Sequence, residues 1–418
     1  MRRFAPILNW IDAQHEQMCR LVTDWANINT GSTNIAGLER QAEAVLDAFA
    51  PLDGQVQQID LPPYETVNSQ GQIEQTPLGR AISIIQRPAA ELRVLLAIHM
   101  DTVFGPDHPF QSTTLPDSNR LRGPGVADAK GGLVVMLTAL QALERSEVAS
   151  RIGWQVLVTP DEELGSPGSG ALLKRCARDH DLGLVFEPTL PDGTLIAARK
   201  GSGNFTVVFR GRSAHAGRDL DAGRNAISAM ADLIVALDAL QGERAGLTIN
   251  VGRAEGGGPV NVVPDLAVCR FNVRVVHHDD QQFVQRQLQR FIAAANDRDG
   301  VSARLHGGFT APPKPIDDAT QKLLDHIAEC GQELNIPVTW RDSGGVCDGN
   351  RLAAAGLPTV DTLGVRGGNL HSDQEYLLLD SLTERAKLTA LLLLKLAAGQ
   401  IDWPRRDTPA TITREKHG

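Results

Sequence analysis

The stretch Trp154-Gln155-Val156-Leu157-Val158-Thr159-Pro160-Asp161-Glu162-Glu163-Leu164-Gly165 decides how this chain is read. Its apolar run, Trp154 to Val158, reads as a short buried strand, and Pro160 ends it. Three acids then stand at the carboxyl end of a strand, where open α/β sheets place their sites. Neighbouring side chains on such a turn point in different directions. Glu162 and Glu163 can therefore hold different jobs, one binding metal and the other moving a proton. A solvated acidic turn is the alternative, since charge runs usually face water.

Outward from that turn, the chain alternates strand and helix. Residues from about 5 to 50 carry two amphipathic helical patterns, separated by the turn-rich Asn27-Ile28-Asn29-Thr30-Gly31-Ser32-Thr33-Asn34. Val94-Leu95-Leu96-Ala97-Ile98 is a continuous apolar run of central-strand type. Helices are expected over Gly131–Leu143 and Ser169–Arg178, and a strand over Leu182–Phe186. This is the pattern of an α/β fold, a sheet covered by helices. Near Lys200 the pattern changes. A half-exposed strand over Asn204–Arg210, a helix over Asp221–Leu240, two strands near Leu247–Val251 and Leu266–Val276, and a helix over Asp280–Ala295 make an α+β insert of about 110 residues. Thr310-Ala311-Pro312-Pro313-Lys314-Pro315 reads as a linker back. The expected organisation is thus 1–200 and 310–418 as one α/β domain, with 201–309 inserted. A Leu-rich helix near Leu382–Ala397 closes the domain, and the tail from Trp403 reads as polar and loose.

Composition bounds the rest. The chain has 418 residues, 42% hydrophobic and 22% charged, with a formal net charge of −9. That length suggests about two domains with real cores. The acidic balance argues against nucleic acid or an anionic membrane surface as partner. The five cysteines are scattered without CxxC spacing, which fits a reducing compartment. Met1-Arg2-Arg3 is basic, but the adjoining stretch from Phe4 to Asp12 is too short and polar for a secretory signal, and no stretch approaches the ~20 apolar residues of a membrane span. A soluble, cytoplasmic protein is expected.

Four further features carry chemistry. In Ile98-His99-Met100-Asp101-Thr102, a His and an Asp two apart on a strand share a face, so Asp101 can fix the tautomer of a metal-bound His99. In Gly123-Pro124-Gly125-Val126-Ala127-Asp128-Ala129-Lys130-Gly131-Gly132, glycines crowd one acid at a helix start. A phosphate loop is the rival there, but the spacing is not GxxxxGK[ST] and Asp128 is anionic. Glu187 ends another strand, and His371 sits in the Gly-rich Gly367-Gly368-Asn369-Leu370-His371-Ser372-Asp373. Asp128, Glu163 and Glu187 supply three negative charges, which two divalent cations and a bridging hydroxide would balance. Mixed His and carboxylate ligands suit catalytic zinc.

These motifs, together with Ser213-Ala214-His215-Ala216-Gly217, resemble the dinuclear zinc exopeptidase and amidohydrolase family of glutamate carboxypeptidase, aminoacylase, acetylornithine deacetylase and succinyl-diaminopimelate desuccinylase. The resemblance covers nearly the whole chain and leans to the glutamate carboxypeptidase branch. It implies a catalytic domain with a central, mainly parallel sheet flanked by helices, and an inserted lid that carries a homodimer contact. It implies two Zn2+ per subunit, with Co2+ or Mn2+ able to substitute. Asp128 would bridge them, His99 and Glu187 would complete one site, and Glu163 and His371 the other. Asp101 would orient His99, and Glu162 would be the general base and acid for a metal-bridged hydroxide. The peptide bond after the bridging acid is often cis in the family. His215 would reach the partner's site, Asn261 and Arg274 would bind substrate, and Arg341 would grip its free carboxylate. The implied substrate is a small peptide cleaved beside that carboxylate. An N-acyl amino acid is the rival on the same machinery, and a retired hydrolase fold serving as a binding protein is the alternative of another class. Two departures stand out. Cys347 replaces the family's common Ser or Thr before Asp348, and reads as a small buried thiol rather than a metal ligand. The insertion Gly105-Pro106-Asp107-His108 comes after the first motif, with His108 as a loop residue.

Overall fold

The structure is a computed structural model that describes residues 3–405. Its centre is a six-stranded sheet in the order Gln55–Ile59, Ala81–Gln86, Gly153–Thr159, Arg93–His99, Leu182–Val185, Thr359–Val360. The first two pairings are antiparallel and the remaining three are parallel, so the sheet is mixed with a parallel half. Strand Gly153–Thr159 is buried along its whole length because helices cover both faces. Alternate residues serve alternate cores. Val94, Leu96, Ile98, Val156 and Val158 pack under helices Gly131–Glu144 and Asp380–Ala397, while Leu95, Ala97 and Leu157 pack against Leu172, Leu173 and Cys176 of helix Gly170–Arg178.

Helix Gly131–Glu144 is apolar all round, and its twelve buried residues include every Leu and Val. With the preceding turn, Val126–Glu144 reaches the length and hydropathy of a membrane-crossing helix, contrary to the sequence expectation, yet 94% of that window is buried inside the fold. The first helical pattern is also split, into Ala5–Asp12 and His15–Ala26, with Ile35–Phe49 next along the chain. The break at Ala13-Gln14 lets Leu8 and Ile11 reach the same core as Met18, Val22 and Trp25.

Residues 201–311 build a second sheet, four antiparallel strands in the order Thr248–Gly256, Leu266–Val275, Gly201–Arg210, Ser302–Ala311. Phe205, Val207, Phe209, Met230, Leu233, Leu237, Val284 and Leu288 form its core, with helices Ala226–Asp238 and His278–Asn296 on one face. The helix expected from Asp221 begins at Ala226, because the Asn225 side chain accepts from the N–H groups of Ile227 and Ser228. Strand Gly201–Arg210 is more buried than the half-exposed strand expected. The hairpin Tyr64–Val67/Ile73–Thr76 reaches over to it, with Arg210 donating to Gln70 O at 3.0 Å and Arg270 to Val67 O at 2.7 Å.

The segment read as a linker and the tail read as loose are both pinned. In the Pro-rich stretch, Lys314 is fully buried and donates to Ala197 O at 2.6 Å. Trp403 is buried and its indole donates to Asp181 O at 3.1 Å, so the loose tail does not begin there. The rest of that tail, 406–418, lies outside the described residues.

Candidate metal centre

The parallel register sets His99 level with Thr159, and Ala97 with Val185. Three adjacent strands therefore deliver His99, the Asp161–Glu163 turn and Glu187 to one edge, as open α/β sheets do. The His99 ring is 1% exposed. Its Nδ1 lies 3.0 Å from the main-chain oxygen of Asp101 and 3.4 Å from that residue's carboxylate. Donation to the carbonyl leaves Nε2 as the ring's free position, and Nε2 faces Asp128 at 3.0 Å and Glu187 at 3.7 Å. The Asp101 carboxylate is spent on the acidic turn. It accepts from the N–H of Glu162 at 3.1 Å, the N–H of Glu163 at 3.2 Å and the hydroxyl of Ser32 at 2.7 Å. Asp101 thus positions both the histidine and the turn.

Asp128 sits between the two histidines, one oxygen 3.0 Å from His99 Nε2 and the other 3.4 Å from His371 Nε2. Its peptide bond to Ala129 is cis. Gly125, at φ +70, turns the loop into place. Buried Glu375 then holds it, accepting from the N–H groups of Gly125, Ala127 and Asp128 at 3.2, 3.0 and 3.1 Å. Lys130 turns inward to the main-chain oxygens of Trp25 and Ile28. His371 also faces Glu163 at 3.2 Å. Ligating atoms of His99, Asp128 and Glu163 lie within 4.8 Å of one another.

The electrostatics fit cations. Burial, and then the charge of Glu187, raise Glu162 well above the usual carboxylate range. Burial pushes Glu163 up to about 7. Hydrogen bonds that its ring donates to Asp128 and Glu163 push His371 up to about 11. Burial works against a charged His99, but Glu187, Asp101 and Asp128 outweigh it and raise it well above its ordinary value. Glu187 Oε1 is buried without a hydrogen-bond partner. A buried acceptor left unmatched among several carboxylates and two imidazole nitrogens is a donor set for divalent cations. His99, Asp128, Glu163, Glu187 and His371 could hold them.

The remaining candidates lie apart. His215 and Asn261 neighbour each other, since His215 bridges to Val262 and Ala216 N donates to Asn261 O at 2.9 Å. Among the described residues, the His215 ring bonds only within its own segment, to Gly217 N at 3.1 Å. Arg274 donates to Gly344 O at 3.2 Å, tying the second sheet to the loop after Arg341. Arg341 is exposed on strand Trp340–Ser343, which pairs with Leu195–Arg199. Cys347 is buried, and burial raises its thiol well above the ordinary range, so it is inert packing. His108 accepts from Phe110 N and stays a loop residue. Glu375, Ser32, Asp348 and Asn350 support the site but were missed from sequence. Asking which group satisfies the N–H row of the glycine loop would have pointed to Glu375.

The model of Peptidase family M20/M25/M40 matches residues 95–395, well over half of the chain. Carboxypeptidase G2 of Pseudomonas sp. (strain RS-16) is 29% identical over 318 residues, 73% of this chain and 74% of that protein. N-acetyl-L-citrulline deacetylase of Xanthomonas campestris pv. campestris is 28% identical over 260 residues, 59% of this chain and 66% of that protein. Among solved structures, the Bacillus subtilis YXEP protein, a dinuclear metal binding peptidase, superposes with a TM-score of 0.62 at 15% identity, over 93% of this chain and 99% of that one.

Proposed function

The chain belongs to peptidase family M20/M25/M40, and from that premise we propose that it is a dinuclear zinc hydrolase of carboxypeptidase type, cleaving an amide bond beside a free carboxylate. One observation carries the reading: Asp128 presents one oxygen to each histidine, while Glu163 and Glu187 flank it and Glu162, among the described residues, pairs with neither histidine. Bound there, two divalent cations would supply an acidified water and polarise the scissile carbonyl.

The chain's own residues do the rest. Glu162, whose hold on a proton burial and the charge of Glu187 strengthen, takes a proton from the attacking water and returns it to the leaving amine. Asp101 holds its backbone in place for that exchange. The guanidinium of Arg341 suits a bidentate grip on the substrate's carboxylate, with Arg274 and Asn261 binding substrate from the lid. Segment 201–309 acts as the lid and the homodimer contact. His215, with Asn261 beside it, reaches the partner's site as a donor to the developing oxyanion. Five free cysteines support a cytoplasmic setting. The substrate is a small peptide.

Likeness to an N-acetyl-L-citrulline deacetylase supports a second reading, an N-acyl amino-acid deacylase. A panel of dipeptides and N-acyl amino acids, run beside elemental analysis, tests both. Release of C-terminal residues by protein holding two zinc ions is expected. Turnover of N-acyl amino acids alone makes it a deacylase, and purified protein without metal or metal-restored hydrolysis sinks the enzyme reading.

A further inference from the structure

Segment 201–311 leaves and rejoins the body along two adjacent backbones. Arg199 and Lys314 exchange both main-chain bonds there, at 2.9 and 3.0 Å. Two fully buried side chains of the body each hold both crossings. Asp361 receives the Arg199 guanidinium at 3.0 and 2.9 Å and the Lys314 ammonium at 3.1 Å. Asn350 donates one amide group to Lys200 O at 3.0 Å and to Pro312 O at 2.7 Å, and its oxygen accepts from Cys347 N at 3.1 Å. Asp361 packs against the residue just before Asn350, since a Cβ on Gly349 would come within 2.7 Å of Asp361 Cβ. Buried charge and buried amide are costly unless every partner is present. Here the partners are the two entry strands, which fixes those strands relative to one point in the body.

That point also holds the acidic turn. Asp348 accepts from the Thr159 hydroxyl at 3.1 Å and from the Ser166 hydroxyl. Arg351 donates to Gly165 O. Thr159 and Ser166 bracket Glu162 and Glu163. One short helix, Asp348–Ala354, therefore grips the turn with Asp348 and Arg351 and the two crossings with Asn350.

We propose that helix Asp348–Ala354 couples the hinge of segment 201–311 to the Glu162–Glu163 turn, with Asn350 as the positioning residue. The coupling rests on the reading of that segment as a moving lid. An amide suits the task because its two N–H groups match two carbonyls. A carboxylate there would repel both, and alanine would leave both unmatched.

The test uses full-length, metal-loaded protein. Asn350→Ala should speed amide exchange at Arg199, Lys200 and Lys314, and also over 161–166, by about tenfold or more, since two buried carbonyls lose their donor. The value of kcat should fall by a similar factor, with KM and metal content near wild type. Asn350→Ser, which keeps one donor, should fall between, and it stands in if Asn350→Ala fails to fold. A purely structural staple would change global unfolding without this split. Faster exchange at the crossings with the turn and kcat unchanged overturns the coupling. The lid reading is judged separately, on Glu162→Gln protein with and without the best-cleaved peptide of the panel. Equal exchange at the crossings in both states removes the lid and the coupling with it. A crossing that responds to peptide while Asn350→Ala keeps wild-type kcat removes the coupling alone.

Discussion

Glu162 and Glu163 share a turn and one anchor, since both N–H groups bond to Asp101. Their carboxyls differ: Glu163 lies 3.2 Å from His371, while Glu162, among the described residues, pairs with neither histidine. Glu162→Gln should keep metal and fold but lose about 10²–10⁴-fold in turnover, the usual range for a general base. Glu163→Gln should lose metal as well. Elemental analysis beside rate measurements separates them, and equal metal content with near-normal rates in both variants would refute this division. His180 offers a test away from the site. Burial holds it below its ordinary value of 6.5, and its Nδ1 lies 2.7 Å from Cys176 O. The folded state thus keeps it neutral while the unfolded chain binds a proton. Its contribution is present above about pH 6.5 and is lost as pH falls toward the lower folded value. Urea midpoints at pH 7.5 and 5.5 should diverge in wild type and converge in His180→Gln. Equal divergence in both would exonerate His180.

Strand ends place the site, and glycines decide how closely the elements approach. A Cβ on Gly132 would meet Phe186 O at 2.0 Å, and one on Gly364 would meet it at 2.2 Å. These glycines pinch the backbone that presents Glu187 between helix Gly131–Glu144 and the Leu363 loop. Gly132→Ala should therefore destabilise by about 1–3 kcal/mol, as overpacking does, and should lower metal affinity by shifting Glu187. Denaturant melts with metal titration check it; unchanged affinity would mean the strand end moves freely. Legibility also divides at this scale. The Trp154–Val158 run, Pro160 and the glycines around Asp128 announced themselves because strand, stop and close approach are local signals. Glu375, Asn350 and Asp361 were silent. Their partners are main-chain groups or charges far along the chain, and no local pattern marks a residue by what it will meet after folding. The docking of Trp403 on Asp181 was missed for the same reason, whereas the Asn225 cap is a local signal that was overlooked.

For the molecule as a whole, the buried carboxylates repel one another unless cations join them, so the metal is a stabilising ligand. Chelation should lower the thermal midpoint, and re-addition should restore it; a thousandfold excess over Kd is worth about 4 kcal/mol. An unchanged midpoint would mean that the cluster tolerates its own charge. The dimer reading predicts twice the 45.0 kDa chain mass in sedimentation. It also predicts that mixed His215→Ala and Glu162→Gln subunits regain activity that neither homodimer has, since one hybrid site is complete. No recovery would place His215 outside the partner's site. The α/β body and α+β insert were readable because their periodicities differ, whereas the hairpin resting on Arg210 and Arg270 was not. Finally, His99 and His371 come from opposite ends of the family-matched region. No partly made or misthreaded chain can bring them together, because the contacts that do so span most of the sequence. Cation uptake would therefore report that the two ends of that region have met.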